Sequence, residues 1–222
     1  MSQRKTPLAT GEYYHIFNRG VACSQTFLVK SDYKQAVTSL SYYKDVNPFM
    51  KFSRFKDLSL DEKDSTIERS ISANKLVDLI CYCFMPNHFH LIVKQLVEDG
   101  ISIFLSKFTN SYTKYFNTKN ERVGPLFQGV FKSVHIDSTN QLVHLSRYVH
   151  LNPLTSFIVP EKNFISYPWS SLNDYLENKN TLVNPSSVLS EFSSSKKYLE
   201  FILNQKDYQR SLKQIEYLLT ES

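Results

Sequence analysis

Cysteine, glycine and tryptophan are scarce in this chain of 222 residues, which has three, five and one of them. Three cysteines do not suggest a disulfide framework, and Cys81 and Cys83 have no second cysteine pair with which to complete a metal site. No window is apolar over the length that spans a bilayer, and the N-terminus lacks the apolar stretch of a signal peptide. We therefore expect a cytoplasmic protein with no membrane partner.

Apolar and basic residues are plentiful by comparison. Hydrophobic residues make up 41% of the chain and aromatic residues 14%, which is enough to bury a full core. The net charge is +5, and residues 101–150 hold six basic residues against two acidic ones. This excess fits a polyanionic partner, although a solvated basic face explains it almost equally well.

The apolar patterns along the chain predict an α+β fold. Strands are predicted over residues 12–18, 76–84, 88–95 and 129–136, and helices over 32–44, 101–119 and about 138–152. This order predicts an antiparallel sheet with helices packed on one face. Asp32 is expected to cap the first helix, and Pro153 to end the third.

We divide the chain into one main domain and an extension. Residues 1–177 form the domain, with a polar insertion at about 45–75. Residues 178–222 carry apolar stripes at helical spacing and are expected to form a helical C-terminal tail.

The segment Met85-Pro-Asn-His-Phe-His-Leu-Ile-Val93 carries the first chemical signal. Side chains alternate faces along a strand, so His88 and His90 point the same way. Two imidazoles on one face form half of a divalent-metal site, although such a pair is more often satisfied or half-exposed without a metal.

A second signal lies on the predicted helix that ends near Pro153. His144, Tyr148 and Asn152 are spaced four residues apart and share one helix face. A tyrosine hydroxyl assisted by a metal can attack a phosphodiester, and the Asn152 amide oxygen could be a third metal ligand. A buried Tyr148 that packs on the sheet remains the alternative.

Two other tyrosines compete for the role of nucleophile. Tyr112 and Tyr115 lie on the long helix predicted over residues 101–119, among phenylalanines at helical spacing. Core packing or base stacking is the favoured role for both, because Tyr148 is the one with an amide four residues later.

Four motifs together resemble the single-tyrosine transposases of the HUH superfamily, and most closely the REP-associated tyrosine transposases. The motifs are Tyr14-His-Ile-Phe-Asn-Arg-Gly20, the segment Met85–Val93, Gly124-Pro-Leu-Phe-Gln-Gly-Val-Phe-Lys132 and Arg147-Tyr-Val-His-Leu-Asn-Pro-Leu154. Tyr167-Pro-Trp-Ser-Ser171 is a weaker match. The motifs span about residues 13–175 in the order that the family has.

The resemblance implies a ferredoxin-like or RRM-like HUH fold, with His88 and His90 as metal ligands, Tyr148 as nucleophile and Asn152 as the third ligand. It also implies cleavage and rejoining of single-stranded or hairpin DNA through a 5′-phosphotyrosine, with Mg²⁺ or Mn²⁺, by a monomer or homodimer.

Basic and aromatic residues in these segments are candidates for DNA contacts. The candidates are Arg19, Lys114, Arg122, Phe127, Lys132 and Arg147. Two other functions stay open: a nucleic-acid-binding module without catalysis, and a metal-dependent phosphodiesterase that uses water while Tyr148 is structural.

Overall fold

The computed structural model describes residues 7–45, 50–59, 61–63, 65–66, 75–177 and 182–206. Part of the predicted insertion, and the apolar stripe beyond residue 206, lie outside these residues. The strands are β1 (Tyr13–Arg19), β2 (Val77–Met85), β3 (His88–Gln95) and β4 (Lys132–Ile136). The helices are α1 (Lys30–Tyr43), α2 (Phe52–Asp57), α3 (Gly100–Lys119), α4 (Thr139–Thr155), α5 (Leu172–Glu177), α6 (Ser186–Leu189) and α7 (Ser195–Leu203).

The four strands form one antiparallel sheet in the order β2-β3-β1-β4. β2 and β3 are joined by the two-residue turn Pro86-Asn87, with Met85 opposite His88. β1 lies between β3 and β4, with Phe17 opposite His90 and Arg19 opposite His88. The predicted α+β class with an antiparallel sheet is confirmed.

Helices cover both faces of the sheet, whereas the sequence pattern predicts helices on one face. Phe84 and Phe89 contact Phe108 of α3 on one face, while His90 contacts Tyr148 of α4 on the other. The reason lies in β2 and β3, which are buried along nearly their whole length. A strand that is apolar on both sides needs a cover on both sides.

The segment after α4 covers the free edge of β2. The backbone N–H of Phe84 donates to Trp169 at 2.8 Å, and the N–H of Ser171 donates to Tyr82 at 3.0 Å. An exposed strand edge is a site of unwanted pairing, and this segment removes that exposure.

The described part of the C-terminal extension packs against α4. Tyr198 of α7 is fully buried, and Phe201 contacts Arg147 and His144 of α4. The boundary at residue 177 stays a prediction, but the helices beyond it are tied to the helix that carries Tyr148.

Two local expectations were wrong. Asp32 lies inside α1 and not at its cap, and its carboxylate accepts the N–H groups of Leu28 and Val29 at 3.0 and 3.1 Å. Helix α4 also continues through Pro153 to Thr155. One missing N–H removes a single helical hydrogen bond, which packing near a helix end can offset.

Candidate active site

The two predicted metal ligands lie at the start of β3, on the face of the sheet that α4 covers. Their ring centroids are 5.0 Å apart. His90 is 6% exposed, while His88 is half-buried beside the hairpin turn. The hairpin thus places both imidazoles on one side of the sheet, as the alternation of a strand predicts.

Each of these histidines contacts a further polar side chain. Nδ1 of His88 lies 2.6 Å from Oδ1 of Asn87, and Nδ1 of His90 lies 3.0 Å from Nε2 of His15 on β1. His15 pairs with Ile92 across the strands, so it reaches His90 diagonally. Burial lowers the pKa of His15 to about 4, which keeps its ring uncharged at neutral pH.

Tyr148 lies on α4 against this pair. Its ring is edge-on to His90 at 5.4 Å between centroids, and edge-on to His15 at 6.1 Å. Tyr148 is half-buried, in contrast to the fully buried tyrosines of the core. The structure therefore brings together His88, His90 and Tyr148, which the sequence separates by about sixty residues.

Asn152 lies one helical turn after Tyr148, where the spacing places it. It is fully buried, and its Oδ1 accepts a hydrogen bond from Ser156 at 3.3 Å. Its role as the third ligand stays a prediction.

The donor atoms here suit a divalent cation. Two imidazoles on one face, with an amide oxygen as the predicted third ligand, would suit Mn²⁺ better than Mg²⁺, which prefers oxygen ligands alone. Within the part of the chain that the structure describes, no group of three or more His, Cys, Asp or Glu side chains is arranged to hold a metal. The predicted site differs from such a group because its third ligand is an amide.

The competing tyrosines lie on the other side of the sheet. Tyr112 of α3 is fully buried and donates to the backbone oxygen of Thr26 at 2.6 Å. Tyr115 donates to the carboxylate of Asp32 at 3.0 Å. Because α3 and α4 cover opposite faces, neither tyrosine shares the face of His90.

Two of the basic candidates border the histidine pair. Arg19 is exposed and lies directly opposite His88 in the sheet. Lys132 is exposed, pairs with Phe17, and holds its ammonium 5.9 Å from that ring. A positively charged rim therefore flanks the face on which Tyr148 lies.

Two other basic candidates, Lys114 and Arg122, lie away from the histidine pair. Lys114 is exposed on α3, which covers the opposite face. Arg122 donates to Asn117 at 2.9 Å and to the backbone oxygen of Pro125 at 2.7 Å, so it holds its own loop in place.

The expected DNA contacts of Phe127 and Arg147 need correction. Phe127 is 5% exposed and packs against Phe89 and Tyr112 in the core. Arg147 is 7% exposed and lies over the ring of Phe201 at 4.2 Å. Both side chains face the protein interior. The basic and aromatic content of a motif does not reveal which way each of its side chains points, so the sequence could not show this.

Sequence reasoning missed His15 and Asn87 as residues of this site. Both lie inside motifs that carried the family resemblance, yet neither had a spacing that linked it to a ligand. The signal that could have found His15 is strand alternation in β1, but only once the pairing of β1 with β3 is known.

A segment of the sequence and the fold of the chain each resemble transposases. The sequence model of the family described as transposase IS200-like matches residues 48–152, a little under half of the chain. That span includes His88, His90, Tyr148 and Asn152. No curated protein matches the chain significantly.

The fold is similar to a solved structure described as a REP-associated tyrosine transposase bound to a REP hairpin. The TM-score is 0.53 at 16% sequence identity, over 82% of this chain and 88% of the other. No helix of the described residues has the length and apolar character needed to cross a membrane.

Proposed function

We propose that this chain cleaves and rejoins single-stranded DNA through a covalent bond to Tyr148, a residue within the segment that matches the IS200-like transposase model. The observation that carries the proposal is the position of Tyr148, half-buried and edge-on to His90 on the face that also holds His88. A nucleophile beside two imidazoles that can bind a cation is the arrangement that attack on a phosphate needs.

The proposed reaction conserves the energy of the phosphodiester. The Tyr148 oxygen gives up its proton to solvent and attacks the phosphorus, and the bond to the 3′-oxygen breaks. The departing strand takes up a proton and leaves with a 3′-hydroxyl, while the other strand stays on Tyr148 as a 5′-phosphotyrosine. Attack by a 3′-hydroxyl reverses these steps and reseals DNA without a nucleotide cofactor.

His88 and His90, with Asn152 as the third ligand, would hold Mn²⁺ or Mg²⁺. A bound divalent cation would polarise the phosphate oxygens and stabilise charge in the transition state. Arg19 and Lys132 would contact phosphates on either side of the reacting group and hold the strand in register. Helix α4 would hold Tyr148 in place relative to the cation and to the bound strand.

We propose a hairpin-containing DNA as the substrate, bound by a monomer or homodimer in the cytoplasm. The support is the likeness of fold to a transposase whose structure contains a REP hairpin. The net charge of +5 fits a polyanion, and such binding should weaken steeply with added salt.

The test uses hairpin DNA labelled at one end or the other, incubated with Mn²⁺. A 5′-phosphotyrosine predicts that the 3′-labelled fragment migrates with the protein, while the 5′-labelled fragment is released with a 3′-hydroxyl. Tyr148→Phe should abolish both products and still bind the hairpin. Tyr115→Phe is the matched control and should keep both.

Other outcomes favour the alternatives. Cleavage without an adduct would support hydrolysis by activated water. Hairpin binding with no cleavage under any condition would support a DNA-binding module on the same fold.

A further inference from the structure

Each of the two predicted metal ligands has its Nδ1 atom against a neighbouring side chain. We infer that these neighbours, Asn87 and His15, are positioning residues that set which ring nitrogen each ligand turns toward the metal. The inference rests on the proposed metal-dependent function, and it gives a role to two residues outside the predicted ligand set.

The orientation of the Asn87 amide is fixed by contacts at both ends. Its Nδ2 donates to the backbone oxygen of Cys23 at 3.3 Å, and its Oδ1 lies 2.6 Å from Nδ1 of His88. The Cys23 oxygen can only accept, so the amide nitrogen faces it and the amide oxygen faces His88. An amide oxygen also only accepts, so Nδ1 of His88 carries the proton and its lone pair is on Nε2.

The turn that carries Asn87 is itself held from the side. The N–H of Gly20 donates to the Asn87 backbone oxygen at 2.8 Å. Thr26 and Phe27 both donate to the oxygen of Pro86, at 2.8 and 3.0 Å. Three backbone hydrogen bonds from one segment therefore place the amide before any metal arrives.

His15 has the equivalent place beside His90. Its Nε2 lies 3.0 Å from Nδ1 of His90, and the two rings are stacked at 5.2 Å with 20° between their planes. A hydrogen bond between two uncharged imidazoles can run either way. When His90 donates from Nδ1, its Nε2 lone pair is available to a metal, and when His15 donates it is not.

The contacts of Asn87 with His88 and of His15 with His90 would orient the two rings for the same metal ion. His88 and His90 share a sheet face, and protonation of both Nδ1 atoms would leave Nε2 of each ring as the nitrogen that can bind a metal ion. Metal-binding histidines commonly donate their other N–H to such a partner, which orients the ring and raises its basicity. Here the partners come from two separate parts of the chain, the hairpin turn and β1.

The first test needs neither metal nor mutation. Long-range ¹H–¹⁵N correlation spectra of the full chain, labelled at histidine and kept metal-free at pH 7.5, report which nitrogen of each ring is protonated. We expect Nδ1 to be protonated in both His88 and His90. Protonation of either ring at Nε2 would overturn the inference for that residue.

The second test measures Mn²⁺ binding by calorimetry. Loss of such a partner weakens metal affinity by about 10- to 100-fold, and we expect this for His15→Phe and for Asn87→Ala. His15→Gln and Asn87→Asp retain an acceptor and should recover most of the affinity. His135→Phe is the matched control, because His135 lies on β4 and pairs with Glu12 at 2.9 Å.

The two failures can be told apart. If the wild-type chain binds Mn²⁺ and forms the DNA adduct while His15→Phe and Asn87→Ala bind Mn²⁺ normally, the inference is wrong and the proposed function stands. If the wild-type chain neither binds Mn²⁺ nor forms an adduct, the proposed function fails and the inference fails with it. Should His15→Phe not fold, the spectra of the wild-type chain still decide the matter.

Discussion

His150 shows how a single side chain fixes the helix that carries Tyr148. It lies two residues after Tyr148, fully buried, with Nδ1 2.8 Å from the Tyr198 hydroxyl and Nε2 2.8 Å from Oγ of Ser171. The Tyr198 hydroxyl also lies 3.0 Å from Oγ of Ser146. One imidazole thus ties α4 to α7 and to the segment that covers the edge of β2.

Removing one hydroxyl should weaken this network measurably. Tyr198→Phe keeps the ring but leaves buried polar groups on Ser146 and His150 short of a partner, at a cost of about 1–3 kcal/mol in unfolding free energy. Urea unfolding measures the loss. Tyr13→Phe, which removes a half-buried hydroxyl bonded to Ser187, should cost less, and equal costs would contradict the argument.

Buried histidines should also make stability depend on pH. Burial lowers the pKa of His150 to about 3 and that of His15 to about 4, from 6.5 in the unfolded chain. Below pH 6.5 these two histidines therefore bind protons in the unfolded state but not in the folded state. The free energy of unfolding should fall as the pH is lowered from 6.5 toward the folded-state pKa values.

Urea midpoints of the metal-free chain at pH 7 and pH 5 provide the measurement. Each histidine contributes at most about 1.4 kcal/mol per pH unit. In His150→Gln the decrease between the two pH values should be smaller than in the wild-type chain. A midpoint that stays constant from pH 7 to pH 5 would show that these rings are protonated in the folded state as readily as in the unfolded state.

At the level of elements, the strands and helices were largely predictable from sequence. The strand at residues 88–95 was predicted with its observed bounds, because it is an apolar run that directly follows a Pro-Asn turn. The long helix was predicted to within one residue at its start, since six apolar residues recur at helical spacing. Local patterns of this kind need no knowledge of partners.

What the sequence could not give was the assembly of these elements. The burial of both faces, the inward direction of Phe127 and Arg147, and the contact of His15 with His90 all depend on strand order and helix placement. These follow from contacts between residues far apart in the chain, which periodicity does not encode. The grouping of His88, His90 and Tyr148 was expected from the resemblance and not from their spacing alone.

The start of α3 is packed so closely that a methyl group would not fit. A Cβ on Gly100 would lie 2.3 Å from the backbone oxygen of Leu76, which cannot turn away as a side chain could. Gly100→Ala should therefore destabilise the fold by about 1–3 kcal/mol, despite the higher helix propensity of alanine. Thermal unfolding would detect this.

A matched control exists on the same helix. Thr118→Ala changes an exposed position of α3 and should shift stability by no more than about 0.5 kcal/mol. Similar effects of the two substitutions would show that strand and helix separate easily at Gly100.

At the scale of the whole molecule, the C-terminal helices are part of the core. Val188, Tyr198 and Ile202 are fully buried, and Tyr198 contacts the rings of His150 and Tyr175. Burial of a large side chain is worth a few kcal/mol, which is a large share of the stability of a domain.

A chain that ends at residue 177 should therefore fold poorly. We expect a thermal midpoint far below that of the full chain, or no cooperative transition, as measured by circular dichroism. Ile202→Ala in the full chain should give a partial loss of about 2–5 kcal/mol in the same direction. An unchanged midpoint after truncation would show that residues 1–177 are an independent domain.

The position of β1 has a consequence for inheritance. The segment that matches the transposase family begins at residue 48, yet β1, at residues 13–19, runs through the interior of the sheet and bonds to a strand on each side. A gene fragment limited to residues 48–152 would encode β2, β3 and β4 without the strand that joins β3 to β4. A gene segment that encodes a working fold therefore has to begin upstream of the segment that matches the family model.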